Sequence, residues 1–585
     1  MDKAAFERTR RNLVERLNAQ RVSGGWWEGH LASSALSTAT AVGALSLIGT
    51  DDSRPGLDWL ARTQNSDGGW GDTIRSKSNI STTILCWCSY SIAELEQSYQ
   101  PVLNRAEAWL TRAAGGVDAH RLVDAILRRY GADRTFSVPI LTVMAIAGKL
   151  GEGRDAWQAI PQLPFELAAC PNQLFGALGL PVVSYALPAL IAIGQVRHRH
   201  RPSRNPAIRL LRDGLTSRTL ELLRDIQPSS GGYLEATPLT SFVGMSLAFA
   251  GRRDHPVAQQ GAAFLRASMR ADGSWPIDTN LSTWVTTLSV NALAPLPAGE
   301  HPLNIPARTS IREWLLAQQY QEEHPYTHAA PGAWAWTPLP GGVPDADDTP
   351  GALLALRHLG PVDERIRNAA CQGVSWLLDL QNRDGGMPTF CRGWGKLPFD
   401  RSGTDLTAHA ISAWRAWLPD LSRDLQARTI SALRHAGEFM ARSQRPDGSW
   451  LPLWFGNEHC AGDLNPAYGT SRALPPLLME GHGTTQAAIG WLRDARNEDG
   501  GWGGGAGTPS SIEETSLVLQ ALVTANQPEL QTLIESGINW IIRETNEGRD
   551  TPASPIGLYF ASLWYYEELY PLIFAAGAFS RICAR

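Results

Sequence analysis

Cysteine is scarce and unpatterned in this 585-residue chain. Its seven cysteines (Cys86, Cys88, Cys170, Cys371, Cys391, Cys460 and Cys583) form no CxxC pair and no dense framework. That argues against a structural zinc site or a disulfide scaffold, and for a reducing compartment. Long uncharged apolar runs are missing as well. A spanning helix needs about 20 such residues, and the nearest approach, Leu178 to Ile193, is short and interrupted by two prolines. No cleavable leader is expected at the N-terminus, because MDKAAFERTRRNLVERL is charged and helical in pattern. Strand signals are few. The net charge of −5 gives no global argument for a nucleic-acid partner.

Apolar residues are abundant, at 43% against 19% charged, so the chain can bury large cores in roughly two to four domains. Tryptophan is in excess, with 22 Trp against 12 Tyr and 14 Phe. These indoles recur in a pattern of an aromatic residue, Gln five positions on, and Trp six beyond that, with Asp-Gly before the Trp. Trp59, Gln64 and Trp70 frame one copy, and Phe439, Gln444 and Trp450 another. Variants run Trp491–Arg496–Trp502, Trp376–Gln381–Met387 and Phe264–Met269–Trp275; weaker copies are Gln20 to Trp26 and Gln227 to Tyr233. A fixed internal offset marks a repeat architecture. Each copy reads as a corner between two helices. The Gly residues stop the first helix, the Gln bonds freed backbone groups, and the aromatic folds back. These corners are structural devices and point to no chemistry themselves. Between them the 3.6-residue period predicts helices. The expected fold is all-α, two α–α barrels of stacked helix pairs. The repeats cluster in two sets, with a connection near 231–238.

Acidic residues concentrate in PDADDTP, which contributes Asp345, Asp347 and Asp348. Thr349 and Pro350 read as an N-cap and first helical position, placing the carboxylates at a helix N-terminus. Three carboxylates this close cannot all ionise cheaply, so at least one should keep its proton. The spacing alone equally fits a solvated acidic loop or a Mg²⁺/Ca²⁺ site. Downstream, GTDLTAH opens a helix near Thr404, and Asp405 and His409 share one face of it. His409 could polarise an Asp there, or be an ordinary core histidine.

Together these segments carry a resemblance. PDADDTP is similar to the DxDD(T) signature of squalene–hopene cyclases and related class II terpene cyclases, GTDLTAH to their second acidic/His segment, and the corners to their QW motifs. The likeness runs along essentially the whole chain. It implies a protonation-initiated polyene cyclase, an isomerase acting on squalene or a similar linear isoprenoid without a cofactor or metal. By the resemblance, Asp347 is the general acid, Asp345 and Asp348 share its charge and hydrogen bonds, and a charged His409 bonds Asp347 with Asp405 beside it. Trp336, Phe390, Trp454, Tyr559 and Tyr566 match or nearly match cavity aromatics that would stabilise carbocations; core packing is the plainer reading of each. The implied organisation is an N-terminal helix (1–25) packed on the catalytic barrel, an inserted second barrel (26–239) and a catalytic barrel (240–585).

The resemblance also implies one-leaflet attachment to the cytoplasmic side of the cell membrane. Arg197 to Arg204 (RHRHRPSR) beside an amphipathic stretch suits that role, and also suits a solvated basic loop. The implied partners are the isoprenoid and a membrane surface, with no nucleic acid and room for a homodimer. Pro350, Leu563, Met387 and Met269 depart from the family pattern. They leave open a shorter or diphosphate-bearing substrate, which would call for Lys and Arg near the entrance and usually Mg²⁺. A protein prenyltransferase subunit would need an Asp/Cys/His zinc set, and a complement-type thioester domain a Cys-Gly-Glu-Gln segment; neither is evident. A non-catalytic helical-repeat scaffold would need no acidic motif paired with a His helix.

Overall fold

The computed structural model describes residues 2–49, 52–131, 133–170, 186–392, 397–479, 483–559 and 563–584. Among these, the only strand pairs are short: Ser33–Ser34 with Trp275–Pro276, and Gly557–Tyr559 with Leu563–Tyr565. Everything else of regular structure is helical, in two rings.

The C-terminal ring has six inner helices, Ser282–Leu293, Asp348–His358, Thr404–Trp417, Pro466–Leu478, Ile512–Ala525 and Leu569–Cys583. Each packs on the next, and the last closes on the first. They are apolar nearly all round, as helices enclosed on every side must be. Five outer helices, Ile305–Ala317, Glu364–Leu380, Arg423–Ser443, Thr485–Asp494 and Gln531–Glu544, pack on them, and Lys3–Ala19 packs on Leu569–Cys583 and Gln531–Glu544. The N-terminal ring has inner helices Ala35–Ile48, Ile80–Ile92, Arg134–Ile146, Leu187–His200 and Thr237–Leu247, again with the last packed on the first. The boundary expected at 239 needs correction. It falls inside Thr237–Leu247, and Pro256–Ser268 packs on that helix and on Ala35–Ile48. The Phe264–Trp275 corner docks here too, with Trp275 N–H donating to Thr38 Oγ1 at 3.0 Å. The N-terminal ring therefore runs to about 276.

The repeated corners obey one hydrogen-bond rule. The indole N–H of Trp70, Trp275, Trp450 and Trp502 donates to the carbonyl ten residues back, at 2.6–2.8 Å. The same residue's backbone N–H donates to a Thr hydroxyl on an inner helix, as from Trp450 to Thr470 and from Trp502 to Thr515. The Gln amide bridges two carbonyls; Gln444 Nε2 reaches Gly448 and Thr484, both at 2.9 Å. Each corner thus satisfies backbone acceptors that a helix end leaves orphaned. The Gly in the turn adopts positive φ, +92° at Gly448, where an added Cβ would lie 2.6 Å from the Ala487 carbonyl oxygen.

Two corners differ from the sequence expectation. In the first, Trp27 and not Trp26 plays the part, donating to Leu17 O at 2.7 Å, while Trp26 stacks outside on Trp314. Another copy is hidden by an insertion: Gln319 bridges Gly332 and Ala369, and Trp334 donates to Leu315 O.

Candidate active site

Asp345, Asp347 and Asp348 meet at the mouth of the C-terminal ring, where helix Asp348–His358 begins. The helix starts earlier than Thr349. Asp347 stands at the cap and Pro350 lies within the first turn, where its missing N–H leaves no broken bond. Thr349 serves a corner instead, its Oγ1 accepting from Trp334 N–H at 3.1 Å. The unpaired helix-start N–H groups of Asp347 and Asp348 both donate to Asp345 Oδ1, each at 2.7 Å. Asp345 and Asp348 are almost wholly enclosed, and burial raises both above the usual carboxylate range; the Asp345 charge adds to the push on Asp348, while hydrogen bonds from Asp348 pull Asp345 the other way. Asp348 Oδ1 has no hydrogen-bond partner.

Asp347 is the member in contact with histidine. Its Oδ1 lies 3.2 Å from His409 Nδ1, across from helix Thr404–Trp417. Burial pulls the His409 pKa down against the opposing pull of Asp347, and the Arg472 charge lowers it further. The charged form of the imidazole is thereby disfavoured. Asp405, one turn earlier, does not bond His409 or Asp347. Its carboxyl accepts from Leu453 N–H at 3.1–3.2 Å, and burial, with a smaller effect of the Asp347 charge, pushes it up to about 7. Among the described residues, no group of three or more His, Cys, Asp or Glu is arranged to hold a metal ion.

The three aspartates line one end of a cavity of about 610 Å³ whose other walls are largely aromatic. Trp336, Phe390, Trp454 and Tyr559 all line it. Trp336 and Phe390 meet edge to face at 6.1 Å. Trp454 N–H donates to Thr389 Oγ1 at 2.8 Å, while Trp336 N–H and Tyr559 O–H both donate to buried Asp278 Oδ2, at 3.0 and 2.8 Å. Their polar tips are thus bonded away from the cavity and their faces left to it. Tyr566 is not there. It follows a strand whose side chains alternate, so its ring turns away to pack with Ala32 and Ala553 under Arg75. Its neighbour Tyr565 lines the cavity instead.

The sequence reading also missed Trp284 and Phe455. Trp284 stands edge-on to His409 at 6.1 Å, and only its place on an inner helix could have signalled it. Tyr559 also borders a second, apolar cavity of about 1080 Å³ between the rings, lined by Phe136, Leu190, Leu239, Phe242 and Leu563 among others.

The basic segment at 197–204 is less exposed than expected. Arg197 is half-buried with its Nε donating to Ile160 O, and His198 is enclosed against Asp213 at 2.8 Å. The exposed apolar residues stand nearby: Leu210 is 75% exposed, with Leu211 and Leu167 each at 52%. Half of the apolar stretch read at Leu178 to Ile193, residues 178–185, lies outside the described residues. No helix among the described residues is long and apolar enough to cross a membrane.

Comparison with known proteins fits this geometry. Residues 280–572 match the squalene-hopene cyclase C-terminal domain and residues 11–209 the squalene-hopene cyclase N-terminal domain. The squalene–hopene cyclase of Alicyclobacillus acidocaldarius is 23% identical over 99% of this chain and 98% of its own. Drimenyl diphosphate synthase of Streptantibioticus cattleyicolor is 30% identical over 44% of this chain and 45% of its own. The chain spans about half the length of other curated relatives that it matches along nearly all of its own length. Among solved structures, the ent-copalyl diphosphate synthase from Streptomyces platensis shares the fold, with a TM-score of 0.60 at 18% identity over 99% of both chains.

Proposed function

The chain belongs to the squalene–hopene cyclase family of class II terpene cyclases, and we propose that it protonates the terminal alkene of squalene or a similar linear isoprenoid and cyclises it to a polycyclic product. The observation behind this reading is Asp347, in contact with His409 and lining a cavity whose other walls are largely aromatic.

Protonating an alkene calls for a strong, neutral acid in a dry site. Asp347 fills that role, with the enclosed Asp345 and Asp348 beside it at the cavity. With its hydrogen on Nδ1, a neutral His409 donates to Asp347 Oδ1. That withdraws density from the carboxyl and strengthens its remaining O–H as a donor. The proton passes to the terminal alkene carbon, the π electrons form the new C–H bond, and the cation left on the adjacent carbon is attacked by the next alkene. Each successive cation is stabilised by the ring faces of Trp336, Phe390, Trp454, Tyr559 and Tyr565, and exclusion of water prevents premature capture. The last cation is discharged by loss of a proton or by addition of water, which leaves a neutral polycycle.

The apolar cavity beside Tyr559 suits an oily chain on its way to the acid. Exposed Leu210, Leu211 and Leu167 near Arg199 and Arg209 form an apolar patch with basic neighbours, which supports attachment to one leaflet of a membrane. A second reading, a diphosphate-bearing polyprenyl substrate, draws on the partial likeness to drimenyl diphosphate synthase. Incubating the detergent-solubilised protein with squalene and, separately, with geranylgeranyl diphosphate, followed by extraction and mass spectrometry, tests both. A cyclic product from squalene supports the first reading; a product only from the diphosphate moves the enzyme to the second; none from either overturns both.

A further inference from the structure

Behind the proton donor, on the side away from the aromatic cavity, the bore of the C-terminal ring opens into a separate cavity of about 890 Å³ reached by all six inner helices. His409 and Asp405 lie in its wall, and Arg472 and Arg581 project from two helices on its other sides. No carboxylate among the described residues lies within 4.0 Å of either guanidinium. Arg472 lies over the Tyr468 ring at 5.9 Å, and Arg581 donates one bond, from Nη1 to Thr524 Oγ1 at 3.3 Å. The Nε of Arg581 is buried with no partner, and Ser471, 4% exposed, has its hydroxyl unpartnered in the same cavity. Asp405, the one acid in the wall, is bonded to Leu453 N–H.

A largely buried Arg581 beside a partly buried Arg472, with no counter-charge for either, is a costly arrangement. Burial and then the Arg472 charge pull the Arg581 pKa down, as like charges sharing a poorly solvated space must. Planar forks with free N–H groups match the oxygens of a phosphate in geometry as well as charge. We propose that this bore is a binding site for a small oxyanion of the phosphate or diphosphate class, held between Arg472 and Arg581 with Ser471 donating alongside. The anion takes the place of the missing counter-charge. It lies on the opposite side of the Asp347–His409 pair from the aromatic cavity, so it does not occupy the space of the reacting chain.

The test needs no turnover, so its failure leaves the cyclase reading intact. The full chain is titrated calorimetrically with inorganic phosphate, inorganic diphosphate and geranylgeranyl diphosphate, alongside Arg472→Gln, Arg581→Gln and Ser471→Ala. Saturable binding of an inorganic anion, weakened at least tenfold by each Arg→Gln change and less by Ser471→Ala, is the expected result. Equal weakening for geranylgeranyl diphosphate would make its head group an occupant as well; weakening for the inorganic anions alone would assign the site to a free anion. Absence of saturable binding in the native chain overturns the proposal, as does binding that neither Arg variant changes. If one Arg→Gln variant fails to fold, Ser471→Ala and the other Arg variant carry the same comparison.

Discussion

Replacing Asp405 by Asn should stabilise the protein in a pH-dependent way, and the size of the effect follows from burial. Asp405 is 6% exposed and its pKa rises from 3.8 to about 7. A raised carboxyl pKa means that the folded state binds the proton more tightly than the unfolded one. The stability it contributes is complete below about pH 4 and is lost as pH rises through 7. Three units correspond to about 4 kcal/mol at pH 8.5 and about 1.6 kcal/mol at pH 5. Asn keeps an acceptor for Leu453 N–H but carries no charge, so it removes this penalty. Any constant cost of the new amide N–H₂ cancels between the two pH values. Urea unfolding of native and Asp405→Asn protein should therefore show the variant gaining about 3 kcal/mol relative to native between pH 5 and pH 8.5. An equal difference at both pH values would refute the reasoning, because it would mean that Asp405 ionises in the fold as easily as in water.

Three further outcomes are expected. His409→Ala should lower kcat by about 10²-fold or more with KM little changed, since His409 bonds Asp347 and does not line the aromatic cavity; an unchanged kcat would separate the two groups. Gln444→Ala should cost about 1–3 kcal/mol in unfolding experiments, because two partly buried carbonyls, on Gly448 and Thr484, lose their donor. Leu210→Ser with Leu211→Ser should weaken sedimentation with anionic vesicles while leaving turnover of detergent-dispersed substrate intact; undiminished binding would put the attachment elsewhere.

Local features were legible in the sequence. The corners were visible because every contact they make begins from a fixed offset, and the acidic motif because its carboxylates are adjacent along the chain. The contact between Asp347 and His409 was legible only through resemblance, since two helices bring it together. What escaped notice depended on parity or on insertions. A one-residue shift hid Trp27 behind Trp26, the alternation of a short strand exchanged Tyr566 for Tyr565, and nine extra residues stretched the corner between Gln319 and Trp334. Trp284 belongs to no motif. The ring boundary was misplaced because the Phe264–Trp275 corner resembles its C-terminal siblings but docks on Thr38. The pairing of Arg472 with Arg581 across the bore has no sequence signature at all.

The most direct test of the central claim is turnover in heavy water by the native chain and by Asp347→Asn. If Asp347 delivers a solvent-exchangeable proton to an alkene, the cyclic product from the native enzyme carries one deuterium at the carbon first protonated, and the correctly folded Asn variant makes no product. A product without deuterium, or undiminished turnover by Asp347→Asn, would contradict the assignment.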